Sequence, residues 1–332
     1  MRAAQVARPA AGVDVVERPA PEPRPDEVRI EVAACALCGG DAAVLDGAPG
    51  VEYPRVPGHE IAGAVDAVGA DVTEWAVGDR VAVGWHGGHC FTCDQCRRGA
   101  FTTCERREVT GVHRDGGLAE YTTARREALA AVPDDVALRD AAPLTCAGMT
   151  GFNALRRADA LAGDLVAVQG VGGVGHLAVQ YAAAMGFETA AVSRGTAKRD
   201  AALELGADHF VDARDDPAGA LADLGGADVV LATAADSASM EALVDGLAPD
   251  GTLLAVGAPD DPVAVPVAEM LGPRQSLRAW GSGHATDTED ALATAARQDV
   301  APVVETYSLS AVGDALAAFE RGDVRFRAVV EP

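Results

Sequence analysis

From the N-terminus to about Val132, apolar residues fall on alternate positions in short runs: VRIEVAA at 28–34, EIAGAVDAVGA at 60–70 and RVAVGW at 80–85. Glycine and proline punctuate these runs. Because side chains on a strand alternate between faces, the pattern predicts short half-buried strands joined by long loops, a mostly β domain.

From about Pro143 the period lengthens. LVAVQG (165–170) leads through a glycine loop into HLAVQYAAAMG (176–186), and FETAAVS, AKRDAALELG, HFVD, ADVVLATA, SASMEALVDGLA and GTLLAVGAP follow in order. Apolar runs of strand length alternating with helical stretches predict right-handed βαβ units and a parallel sheet with helices on both faces. SASMEALVDGLA (237–248) reads as helix throughout. The tail, from Val303 to Pro332, reads strand, helix, strand and can pair back onto the first domain.

The loop Gly170-Val171-Gly172-Gly173-Val174-Gly175 follows one predicted strand and opens one predicted helix. Glycines there permit a tight turn and close backbone approach to a pyrophosphate seated on the helix N-terminus. A glycine turn without a ligand is the plainer reading, but the βα context is the one a dinucleotide site requires. The next strand ends in Ser193-Arg194, with Lys198 beyond, where an NAD site would carry an acid. A hydroxyl and cations suit a 2′-phosphate, so NADP(H) is favoured over NAD(H). The alternative is that Arg194 lies on the surface or stacks on the adenine.

Charge narrows the partners. Lys plus Arg number 27 against 50 Asp plus Glu, a formal net charge of -23, which repels phosphate backbones and anionic membranes. The N-terminal stretch lacks a signal-type apolar run, and no segment has the roughly 18 continuous apolar residues of a membrane span. The expected partner is a small molecule, with neither nucleic acid nor membrane, and the expected compartment is the cytoplasm.

Four of the seven cysteines lie in CFTCDQCRRGAFTTC, as Cys90, Cys93, Cys96 and Cys104. In a reducing compartment such clusters bind metal more often than they form disulfides. Two-residue gaps let neighbouring thiolates face one centre, so the spacing reads as a closed structural zinc site, with an iron–sulfur cluster as the alternative. A second set is scattered: Cys38 in ALCGGD, His59 and Glu60 in PGHE, and Cys146 in APLTCAGMT. Taken singly, these read as small buried thiols and a satisfied loop histidine.

GHE, the four-cysteine stretch, APLTCAG and VGGVG stand in the order and spacing of the zinc-dependent medium-chain alcohol dehydrogenases, and the chain resembles that family over nearly its whole length. The resemblance implies an α/β architecture: a GroES-like, mostly β catalytic domain (1–142 and 297–332, zinc lobe 90–104) and a Rossmann doubly wound parallel sheet (143–296). It implies two zinc ions per chain. Cys38, His59 and Cys146 would be ligands of the catalytic one, Glu60 the carboxylate that approaches it during water exchange, and Asp41 the acid that orients His59. Arg327 would contact the cofactor pyrophosphate, Val256 and Gly257 the nicotinamide, and Trp85 and Trp280 would form pocket walls. A homodimer or homotetramer is implied, interconverting an alcohol and an aldehyde or ketone by hydride transfer.

One departure stands out. Family members usually carry a hydroxyl two residues after the first ligand cysteine, whereas this chain reads Cys38-Gly39-Gly40-Asp41, and Ala43 replaces the outer histidine found in some members. Small residues there suggest a roomy floor in which water carries the proton. Two alternatives remain: an NADPH-dependent reductase of an iminium or activated alkene, and a non-catalytic zinc- and cofactor-binding homologue.

Overall fold

The computed structural model describes residues 1–332. Met1–Met149 together with Ser282–Pro332 form one compact unit, and Thr150–Gly281 form another.

The first unit is organised by strand Glu27–Ala36, whose alternating sequence EVRIEVAACA buries Val28, Ile30 and Val32. It pairs antiparallel with Glu60–Val68, with Tyr121–Arg125 and with the tail strand Arg327–Glu331. Arg80–Val83 and Leu129–Ala131 extend the sheet on one side, and Val304–Ser308 lies parallel to the tail strand on the other. The tail therefore completes the sheet that the N-terminal half begins. Helix Val312–Arg321, ended by Gly322 at φ +70°, adds Val312, Ala315 and Leu316 to the core of Val28, Ile30, Ile61, Val81 and Val330.

The second unit is a six-stranded parallel sheet. Its order is His209–Asp212, Glu188–Ser193, Leu165–Gln169, Ala227–Ala232, Leu247–Ala255 and Ser276–Ala279. In chain order this is 3-2-1-4-5-6, the doubly wound arrangement that puts the first strand's carboxyl end at the switch point. Leu165, Ala167, Val192, Val230 and Leu253 fill its core.

Three details differ from expectation. Helix Ser237–Glu241 is shorter than the 237–248 stretch, because Leu247 already enters a strand. Ser276–Ala279 is a sixth, edge strand whose four residues are all exposed, so it carries no apolar pattern. Helix Ala285–Gln298 packs with the first unit, so the unit boundaries fall at 149/150 and 281/282, against the expected 142/143 and 296/297. No helix is long and apolar enough to cross a membrane.

Candidate active site

Cys38, His59, Glu60 and Cys146 offer ligand atoms that all lie within 4.8 Å of one another. Three local devices bring them together. Cys38 caps the short turn Gly39–Asp41, and Asp41 turns back to accept the Cys38 N–H at 3.0 Å. Asp41 also accepts the Gly58 N–H at 3.2 Å and faces His59 Nδ1 at 2.9 Å. Gly58 sits at φ +101°, and a Cβ there would meet Cys35 Sγ at 2.6 Å, so only glycine delivers His59 to the site from this turn. Cys146 rides on a π-helical turn, Leu144–Gly148, inserted after Pro143. Such single turns widen a helix locally and re-aim a side chain.

The electrostatics suit a cation. The Cys38 and Cys146 sulfurs are 4.0 Å apart. Cys38 is held well below its ordinary range, chiefly by the hydrogen bond from Cys146 and further by His59 and Arg327, and Cys146 is pushed well above it by the same bond and by burial. Burial works against a charged His59, but Asp41 and Cys38 outweigh it and raise the imidazole well above its usual value. With Asp41 on Nδ1, Nε2 is left buried without a partner, as is Glu60 Oε1. Buried orphan donors and acceptors are rare and costly, and here they point into one donor cluster. The residues fit a zinc ion bound by two thiolates and an imidazole.

Glu60 has a second attachment. Its Oε2 forms a buried ion pair with Arg327, which also donates to the Leu37 carbonyl at 2.8 Å. Burial nonetheless pushes the Glu60 carboxyl up to about 8. The resemblance assigns Arg327 to a pyrophosphate; the residue is only 2 % exposed and its guanidinium is engaged by Glu60 and Leu37.

Cys90, Cys93, Cys96 and Cys104 also converge within 4.8 Å. Sulfur separations of 3.5, 3.8 and 3.9 Å bracket the edge of about 3.8 Å that four Zn–S bonds of ~2.3 Å would give a tetrahedron. The backbone N–H groups of Thr92 and Cys93 lower Cys90 to about 5, whereas burial and the neighbouring sulfurs raise Cys96 to about 12.

In the second unit, Gly170 takes φ +89°, and a Cβ on Gly175 would stand 1.7 Å from the Gly170 carbonyl. The turn therefore closes only with glycine at 175, where helix Gly175–Ala184 begins. Gly172 has open space at its Cβ position, leaving its backbone approachable next to Gly173 and Val174. Val256 and Gly257 follow the strand Leu247–Ala255, and both of their N–H groups point to the Ala232 carbonyl. Lys198 donates to the Val171 carbonyl at 2.7 Å, so it braces the glycine loop. Ser193 stands in register with Asp212 beside Arg194. Arg214, which the sequence reading missed, lies against Gly195: a Cβ on that glycine would be 1.4 Å from its Nη2. Only its place two residues past HFVD hinted at this. Trp280 lies under the guanidinium of Arg278 at 5.0 Å, while Trp85 meets the His59 ring edge-on at 4.8 Å.

The floor beside Gly40 is not roomy. A Cβ there would be 2.8 Å from Trp85 Cζ3, so the indole occupies the space in which water was expected.

A doubly wound sheet with a phosphate-type glycine turn, together with a thiolate–imidazole donor set, defines an oxidoreductase. Residues 24–134 match the family model described as Alcohol dehydrogenase GroES-like domain, and 173–297 the one described as Zinc-binding dehydrogenase. Alcohol dehydrogenase patD of Penicillium expansum is 42 % identical over 321 residues, covering 96 % of this chain and 94 % of that one. Aldehyde reductase AdhA of Synechocystis sp. is 35 % identical, covering 92 % and 91 %. Cinnamyl alcohol dehydrogenase of Sorghum bicolor superposes with a TM-score of 0.91 at 30 % identity, covering 99 % and 97 %. The chain belongs to the zinc-type medium-chain alcohol dehydrogenase family.

Proposed function

We propose that the protein is a zinc-dependent oxidoreductase that interconverts an alcohol and its aldehyde or ketone, using NADP(H) in preference to NAD(H). The observation that carries this is the convergence of Cys38, His59 and Cys146 around a buried, unpartnered His59 Nε2. A scaffold needs no such set. Zinc bound there would supply Lewis-acid polarisation of the substrate oxygen.

The chain's own residues do the rest. Asp41 accepts from Nδ1 of His59 and so fixes the tautomer that presents Nε2. Arg327 holds Glu60 by Oε2 and leaves Oε1 free beside the donors, so Glu60 can approach and withdraw as the exchangeable fourth donor. The turn Gly170–Gly175 receives the pyrophosphate at the start of its helix. Ser193, Arg194 and Arg214 receive the 2′-phosphate as a hydroxyl and two guanidinium groups, the second of them shared with Asp212. The four-cysteine loop holds a second zinc and is structural.

The test is metal content and turnover on the same preparation. Two zincs per chain are expected, with nicotinamide absorbance changing on addition of alcohol or aldehyde and with that turnover lost after chelation. Reduction of an imine or an activated alkene but of no carbonyl compound would overturn the alcohol reading. Full turnover by Cys146→Ser without the catalytic zinc would overturn the metal.

A further inference from the structure

Gly40 and Trp85 fit each other. A Cβ built on Gly40 would stand 3.0 Å from Cε1 and 3.5 Å from Nε2 of His59, so a hydroxyl carried there would reach the oxygen of a molecule held opposite Nε2. The same point is 2.8 Å from Trp85 Cζ3, well inside the ~3.5–4 Å at which carbons pack. A side chain at position 40 and the indole edge would therefore compete for the same space. The backbone segment that carries Trp85 is held at two points. A Cβ on Gly84 would meet the Thr145 carbonyl at 2.5 Å, next to the donor Cys146, and the Trp85 carbonyl accepts the Thr110 N–H at 3.1 Å.

We propose that Trp85, packed against Gly40, keeps any proton-sharing side chain out of the position beside His59, so that the substrate proton passes to water unassisted and the enzyme is restricted to alcohols that are acidic in their own right. These are carbinols flanked by an aryl, alkenyl or carbonyl group, with the matching aldehydes as products. The inference rests on the oxidoreductase reading and deepens it. In oxidation the carbinol C–H bond breaks and its hydride goes to C4 of NAD(P)⁺, the O–H bond breaks and its proton goes to water, and the C=O bond forms. A positioned protein group that shares the proton typically contributes ~10²–10⁴-fold and makes the rate less sensitive to substrate acidity. With that position filled by an apolar ring, the acidity of the alcohol carries the step.

The experiment uses the zinc-loaded protein and four variants: Gly40→Ser, Trp85→Ala, Trp85→Leu and Gly40→Ser/Trp85→Ala, with the leucine variant replacing the alanine one in the pairing if the latter fails to fold. In the first measurement, Gly40→Ser lowers Tm in the Trp85 background and lowers it less once the indole is gone. In the second, log kcat/KM for ring-substituted benzyl alcohols falls steeply with decreasing alcohol acidity in the native enzyme. The slope flattens in the double variant, with the least acidic alcohol gaining ~10-fold or more. Additive Tm shifts, an unchanged slope, or a Gly40→Ser enzyme that gains turnover with no loss of Tm would each overturn the inference. No turnover of any alcohol or aldehyde by the native protein would overturn the functional reading itself, and this one with it.

Discussion

Arg327 and Glu60, 267 positions apart in sequence, meet as an ion pair with side chains 3 % and 0 % exposed. Strand pairing makes this possible: the tail strand that Arg327 begins lies against the strand that ends just before Cys38, and Glu60 opens the next strand over. Removing one partner of such a pair leaves a buried charge uncompensated, which costs ~3–5 kcal/mol. Arg327→Ala should therefore lose up to that much in chemical denaturation, and less where Glu60, already pushed up to about 8, takes up a proton instead, while Arg327→Ala/Glu60→Ala should lose less than the two single changes together. A strictly additive cycle would mean that the pair is not coupled.

His59 owes its orientation to Asp41. The carboxylate makes three contacts, with Nδ1 of His59 and with the N–H groups of Cys38 and Gly58, so one side chain ties two of the donor segments. Outer partners of this kind are worth ~10–100-fold in metal affinity. Asp41→Asn should weaken one zinc by that factor in competition with a chelating dye and leave the second, in the four-cysteine loop, unchanged. The second ion is an internal control, because none of its sulfurs touches Asp41.

Much of this was legible in the sequence, for identifiable reasons. The alternating run 28–34 and the glycine turn 170–175 are local signals whose geometry follows from the residues themselves. The four-cysteine loop is likewise local. Cys38, His59 and Cys146 converge only through tertiary structure, and singly each looked ordinary, so family resemblance had to supply the set. Two features were hidden in principle. Arg214 reaches Gly195 from another strand's end, and Trp85 fills the Gly40 gap from 45 positions away. A missing side chain shows in a sequence; what moves into its place does not.

Acid should act on His86. Its ring is buried, neither nitrogen has a hydrogen-bond partner, and burial first, then His89, His284 and Arg107, lower it to about 4. The unfolded chain titrates this histidine near ~6.5, so between that value and about 4 the unfolded state binds the extra proton. Stability from this group is therefore fully present above pH ~6.5 and is lost as pH falls toward 4, by up to ~3 kcal/mol. Other groups titrate in the same window, so the check is a difference. Between pH 7 and 4 the denaturation midpoint of the native protein should fall relative to that of His86→Phe, whichever is higher at pH 7. Parallel curves would show that His86 carries no pH dependence.

Cofactor choice should turn on Ser193. It pairs with Asp212 on the neighbouring strand, and Asp212 is already engaged by the N–H groups of Gly195 at 2.6 Å and Arg214 at 3.0 Å. Asp212 is thus committed to the turn and lies 3.6 Å from the Arg214 guanidinium, whose charge it partly offsets; on the proposed NADP(H) reading, Ser193, Arg194 and this partly neutralised Arg214 are the groups offered to the 2′-phosphate. Hydrogen bonds to a charged group are worth ~1.5–3 kcal/mol each, or roughly 10–100-fold. Arg214→Ala should lower kcat/KM for NADP by that factor and leave NAD nearly unchanged. Ser193→Asp should go further, repelling the 2′-phosphate while accepting a ribose hydroxyl, so the NADP-to-NAD ratio falls from above one to below it. Equal losses for both cofactors in either variant would mean that these residues support the turn and do not read the phosphate.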